Sequence, residues 1–200
     1  VEIVDEYLTL SKASKETLFK EKGSKFFGYA FPVESEEEVK ELLVGIKKQH
    51  HSARHWCYAW KLGVENVRFR VNDDGEPSNS AGQPIYGQIL SFDLTNVLII
   101  VVRYFGGVKL GVGGLVKAYK TSAQITLESS EVIKKNIEEE IKLIFDYQHM
   151  NKIMRVIKQL NLSIQKQKME LNCEFDLSVK KSEIFKVKEV FQKMHFLKLK

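Results

Sequence analysis

Asp73, Asp74 and Glu76 crowd three carboxylates into the loop NDDGEPSNSAGQP, with Ser78, Asn79 and Ser80 directly behind them. Oxygen ligands this close together suit a hard cation. The spacing lacks the alternating ligands and terminal Glu of an EF-hand, however, and Asp and Ser are equally the residues of turns and helix caps. Ser80, followed three residues later by Gln83, has the order of a capping box. We read the loop as turn and cap chemistry, and expect neither a metal nor a cofactor.

The stretch RYFGGVKLGVGGLVKAY, from Arg103 to Tyr119, holds five glycines and three cations directly after the apolar run VLIIVV. Free N–H groups at a helix start, at the positive end of its dipole, attract anions. Arg103, Lys109, Lys117 and Lys120 would contact phosphates, with Gly111, Gly113 and Gly114 letting the backbone come close. The alternative is that these glycines only shape a sharp strand-to-helix turn. The string fits neither G-x-x-x-x-G-K-[ST] nor G-x-G-x-x-G. Tyr104 and Phe105 are candidates for stacking on bases, or else for packing at the strand end.

His50, His51, His55 and Cys57 raise the question of zinc, but the spacing provides no second ligand pair, and Cys173 is far along the chain. A hydrolase elbow, a redox C-x-x-C and a kinase glycine loop are missing from the sequence, so nothing specific supports an enzyme.

Charge sharpens the second stretch. Formal net charge is +5, and residues 138–200 carry 13 Lys/Arg against 9 Asp/Glu. Between Asp93 and Glu128 there is no carboxylate, yet all four cations named above fall there. An uncompensated cluster favours an anionic partner, although a solvated basic face looks the same in sequence. No apolar run approaches the ~20 residues of a membrane span. The opening VEIVDEYLTLSKASKE lacks a signal-peptide layout, and two distant cysteines suggest no disulfide framework. A reduced, cytoplasmic protein is expected.

Several elements must position these residues. SKFFGYAFPV reads as a strand ended by Pro32. Ser35 and Glu38 form a capping box ahead of Val39, Leu42, Leu43 and Ile46 at helical spacing. RHWCYAWKL places Trp56, Tyr58, Trp60 and Leu62 on one strand face and His55, Cys57 and Ala59 on the other. VRFRV reads as an edge strand. Ile85, Ile89 and Leu90 suggest a short helix, and Val97 to Val102 a strand buried on both faces. From Gly111 the period is helical, with Leu115, Ala118, Tyr119, Ser122 and Thr126 inward and Lys117, Lys120, Thr121 and Gln124 outward. After a charged linker at EVIKKNIEEE, the pattern reads β-α-β-β-α-β, the ferredoxin-like order. The expected fold class is therefore α+β in two domains, residues 1–134 and 135–200.

DDGEPSNSAG, NVLIIVVRYFGGVKLGVGGLVKAY and RHWCYAW together resemble the IMPACT/YigZ family over roughly Leu18 to Ser129, and residues 138–200 resemble the ferredoxin-like domain that bacterial members append. Asn79-Ser80 stands where members commonly read Gly-Thr, and Asn is the side chain that best tolerates positive φ. The resemblance implies a first domain like domain IV of elongation factor G and a second like its domain V. It also implies an association with translation. The expectation is a non-enzymatic protein that binds RNA or a ribosome surface, with a protein partner in translation control, or a phosphate-ligand enzyme, as the alternatives. In the enzyme alternative, Asp73, Asp74, Glu76 and Ser78 would line a cleft with the glycine turn.

Overall fold

The computed structural model describes residues 5–200, so the first four residues of the N-terminal alternation lie outside the described part. The chain divides into two compact units, Tyr7–Lys135 and Asn136–Lys200, the latter joined by residues 5–6.

The first unit contains β1 (Glu6–Leu10), β2 (Thr17–Glu21), β3 (Ser24–Pro32), α1 (Glu36–Gln49), β4 (His55–Leu62), β5 (Arg68–Asn72), α2 (Gly82–Ser91), β6 (Val97–Tyr104), α3 (Gly111–Glu128) and β7 (Val132–Asn136). Five strands form an antiparallel sheet in the order β2-β3-β6-β4-β5. Its central strand β6 is buried from Val97 through Arg103, as a run apolar on both faces requires. On one face, Phe26, Ala30, Cys57, Ala59, Ile99 and Val101 pack with Ile85 and Ile89 of α2 and with Leu115, Ala118 and Tyr119 of α3. On the other face, Tyr29, Trp60, Leu98, Ile100 and Val102 pack with Val39 and Ile46 of α1. The sheet is thus covered by helices on both sides, and the alternation in RHWCYAWKL serves two cores rather than a core and solvent.

Helix α1 begins as its capping box predicts, with the Glu38 N–H donating to Ser35 Oγ at 3.2 Å. The return bond differs: the Glu38 carboxylate accepts from the N–H of Glu34, 3.0 Å away, one residue before the cap.

The second unit contains β8 (Glu138–Asp146), α4 (Met150–Gln159), β9 (Ser163–Lys168), β10 (Asn172–Lys180), α5 (Ile184–Gln192) and β11 (Leu197–Leu199). Its sheet runs β11-β8-β10-β9, all antiparallel. This is the split βαβ arrangement, with β10 inserted between β8 and β9. Phe145, Phe175, Ile153, Leu177, Val187 and Phe191 fill the core.

The expectation of a linker at EVIKKNIEEE is corrected. That stretch is β7 and the start of β8, separated by Ile137 alone. Strand β7 pairs with β1 in a two-stranded sheet. Its lysines stay exposed while Ile133 is half-buried, so charge on the wet side of a strand had the look of a linker.

Candidate functional site

The acidic loop is wound around its own carboxylates. Asp73 Oδ1 accepts from the N–H groups of Ala81 (2.9 Å) and Gly82 (2.8 Å), and Oδ2 from Asn79 N–H at 2.8 Å. Gly82 is the first residue of α2 and Ala81 its N-cap, so Asp73 caps that helix from outside it and holds Asn79 in the turn ahead. The predicted Ser80 cap is not formed, because the Ser80 hydroxyl donates instead to Pro77 O at 2.6 Å. Asp74 accepts from the Trp56 N–H at 2.7 Å. Asn79 does take the left-handed conformation that the departure from glycine raised, at φ 61. Ser78 is exposed.

Glu76 turns inward. Its Oε1 accepts from Arg103 Nη1 at 2.7 Å and from the Tyr119 hydroxyl at 2.8 Å. Both side chains of the ion pair are almost completely buried, at 6% and 4% exposure. Cys57 Sγ lies 3.3 Å from Tyr119 Oη and 3.0 Å from Asp73 O. Burial raises the Cys57 thiol and Tyr119 phenol well above their ordinary values, so both stay protonated. The acidic loop and the strand-to-helix region therefore do meet, through Glu76. What meets there is a closed, buried set at the base of the loop, in which Arg103 Nε is left without a hydrogen-bond partner.

Arg103 is consequently separated from Lys109, Lys117 and Lys120. Its guanidinium is buried and packs between two rings, with its carbon 5.6 Å from the centroids of Phe26 and Phe105. The three lysines are exposed, and among the described residues none takes part in the ion pairs of this unit. Gly111 sits at φ +70, and a Cβ added at Gly111 or Gly113 would meet open space. Gly114 is different, with a virtual Cβ 3.1 Å from Leu110 Cβ. Around the turn, Phe105, Val108 and Val112 are about half exposed, at 49%, 52% and 57%. Tyr104 is half-buried and its ring meets Phe27 edge-on, 5.6 Å away.

Residues outside the quoted motifs join this surface. Gly106 lies against the tip of the β2–β3 hairpin so closely that a Cβ there would fall 1.9 Å from the carbonyl carbon of Gly23. The hairpin turns through Lys22 and Gly23 at φ 45 and φ 80. Both signs are those of a type I′ turn, whose first position ordinarily takes Asn, Asp or Gly. Lys20 stands directly opposite Lys25, which stands opposite Tyr104 on β6. Like charges facing across a ladder cost stability, and Lys20, Lys22 and Lys25 are all exposed. The signal was present in TLFKE-KG-SKFF, two alternating runs around a two-residue turn.

A pocket of ≈ 310 Å³ opens beside this hairpin, lined by Gly23, Lys25, Phe27, His50, Tyr104 and Phe105. His50 is buried at the end of α1. Its Nε2 contacts the Tyr29 hydroxyl at 2.5 Å, and its Nδ1 the Tyr104 hydroxyl at 3.0 Å. The Tyr29 hydroxyl donates to Glu16 and therefore accepts from His50. This fixes the His50 proton on Nε2 and makes Tyr104 the donor to Nδ1. Burial lowers the His50 pKa, against a smaller opposing pull from Glu16. His50 thus belongs to the α1 face of the sheet and Cys57 to the opposite core, which separates the residues considered for zinc. Among the described residues no group of three or more His, Cys, Asp or Glu is placed to hold a metal ion. No described helix is long and apolar enough to cross a membrane.

Comparison with known proteins agrees with this architecture. The Impact N-terminal domain matches residues 22–127, which contain the turn of the hairpin with β3, the acidic loop and the glycine turn. The IMPACT family member YvyE of Bacillus subtilis is 33% identical over 177 residues, 88% of this chain and 81% of that protein. The IMPACT family member YigZ of Escherichia coli is 31% identical over 140 residues, 69% of each chain. A crystal structure of a hypothetical protein aligns over 98% of this chain and 97% of its own, with a TM-score of 0.76 at 24% identity, a likeness of fold. The domain match and the extent of these bacterial relatives place the chain in the IMPACT family.

Proposed function

We propose that this protein is a translation-associated, cytoplasmic binding protein that engages single-stranded RNA or an RNA-rich ribosome surface with the glycine turn and the β2–β3 hairpin. One observation carries the reading: the backbones of Gly23 and Gly106 touch, and exposed lysines flank both, Lys20, Lys22 and Lys25 around Gly23 and Lys109 three residues beyond Gly106. Lys117 and Lys120 extend the same charge along the wet side of α3. Phosphates attract such a surface without requiring a sequence. Exposed Gly111 and Gly113 leave the uncapped start of α3 open to an anion. Arg103 and the acidic loop have a supporting part here. Glu76 holds Arg103, and Arg103 backs the exposed ring of Phe105.

The test is RNA affinity as a function of salt. Lys109→Glu combined with Lys117→Glu should weaken binding strongly and flatten the slope of log K against log salt by about 0.7 per lost contact. Affinity unchanged in that double variant defeats the reading.

A second reading is a protein-interaction module, favoured by the half-exposed apolar side chains of Phe105, Val108 and Val112. It expects captured partners that survive nuclease treatment and little salt-sensitive RNA binding.

A further inference from the structure

Lys25, Phe27, His50, Tyr104 and Phe105 come from three elements and the turn after β6, yet they line one pocket. Three of its walls are aromatic. Phe105 is 49% exposed, and its ring lines the pocket. Its inner side is accounted for by the Arg103 guanidinium. The pocket also has one exposed cation, Lys25, and one oriented hydroxyl. Because Tyr104 gives its proton to His50 Nδ1, its remaining lone pairs can accept a hydrogen bond but the group cannot donate one.

We propose that this pocket is a subsite for a single unstacked nucleobase of a single-stranded RNA. The base lies against Phe105, its N–H edge donates to the Tyr104 oxygen, and its phosphate meets Lys25. The size agrees, since ≈ 310 Å³ is at the lower end of the roughly 300–1,000 Å³ of small-ligand sites. Charge agrees as well. Lys20 faces Lys25 across the hairpin, Lys22 occupies its tip, and among the described residues none of the three has a carboxylate at ion-pair distance. A protein side chain would fill the aromatic walls equally well but would leave this cluster of cations without a counter-charge. Aromatic stacking beside a basic track is the general solution for single-stranded nucleic acid. The proposal rests on the RNA reading above and adds a defined contact to it.

The experiment uses the whole chain and a ten-nucleotide unstructured RNA with 2-aminopurine at its centre, followed by anisotropy for affinity and by fluorescence intensity for stacking. Wild type should bind and change the 2-aminopurine intensity. Phe105→Ala, at a half-exposed position that the core does not depend on, should lose that change and weaken binding roughly 5- to 150-fold, the value of one base–aromatic stack. Its salt slope should stay that of wild type. Tyr104→Phe, which keeps the ring and removes the acceptor, should weaken binding less. If Phe105→Ala binds as wild type while Lys109→Glu/Lys117→Glu is weakened, the pocket is overturned and the lysine surface stands. If wild type shows no salt-sensitive binding at all, both fall and the pocket passes to a protein partner.

Discussion

Arg103 and Glu76, 27 positions apart in sequence, form a buried ion pair with an N···O distance of 2.7 Å. The pair ties the acidic loop to the end of the central strand, and Tyr119 from α3 completes it by donating to the same carboxylate oxygen. Arg103 in turn lies against Phe105. A loop that contributes no exposed cation thereby determines where the aromatic rim of the basic surface stands.

Breaking that pair from one side leaves an uncompensated buried charge. Glu76→Ala or Arg103→Ala should each cost about 3–5 kcal/mol of unfolding free energy. Urea denaturation monitored by tryptophan fluorescence measures it, and a loss below about 1 kcal/mol would contradict the burial described above.

Asp73 serves three N–H groups, Ala81 and Gly82 at the start of α2 and Asn79 in the turn before it. Asp73→Ala should destabilise by at least the ~0.5–2 kcal/mol of a lost helix cap. Ser80→Ala removes only a hydroxyl bonded within its own turn, so its shift in urea midpoint should be the smaller of the two.

Gly106 and Gly113 should answer oppositely to alanine. At Gly106 the new Cβ collides with the hairpin backbone at 1.9 Å, and the variant should lose stability. At Gly113 the Cβ meets nothing, and helix propensity should raise stability by about 0.5–1 kcal/mol. A Gly113→Ala protein that is more stable yet binds RNA less well would locate the glycine's value in backbone approach.

His50 should make stability pH-dependent. Burial depresses its pKa below 6.5, so the unfolded chain takes up a proton before the folded one does. The stabilisation is fully present above about pH 6.5. It is lost as pH falls through that value toward the folded pKa. Thermal unfolding between pH 7.5 and 5.5 should show the midpoint dropping more in wild type than in His50→Gln. Equal drops would remove His50 from the account.

Much of the architecture could be read from local pattern. A run such as VLIIVV, apolar on both faces, has nowhere to sit but the middle of a covered sheet. The alternation of Cys173, Phe175, Leu177 and Val179 in LNCEFDLSV marks a strand just as clearly, although Leu171, which the same alternation turns inward, lies before β10 and is 90% exposed. The site was legible only in part. Lys117 and Lys120 are exposed, as their helical spacing is sufficient to say, and Lys109 is exposed in the turn before α3. Nothing local announces that the Arg103 guanidinium is occupied, because its partner comes from a loop on the far side of α2 in sequence. The pocket was invisible for the same reason: His50, Lys25 and Phe105 belong to segments whose meeting is a property of the sheet order β2-β3-β6-β4. Strands β1 and β7 escaped notice because each is only five residues long and finds its partner at the opposite end of the chain segment, and β7 is also charged.

Lys22 occupies a backbone conformation, φ 45, that asparagine or glycine would hold at less cost. Anyone engineering this protein for heat resistance would be drawn to that turn, since Lys22→Asn should relax it. The same replacement deletes a cation from the hairpin tip that touches Gly106. Thermal tolerance and affinity for an anionic partner are therefore set against each other at one residue, and a library selected for the first should drift away from the second there before it does so anywhere in the core.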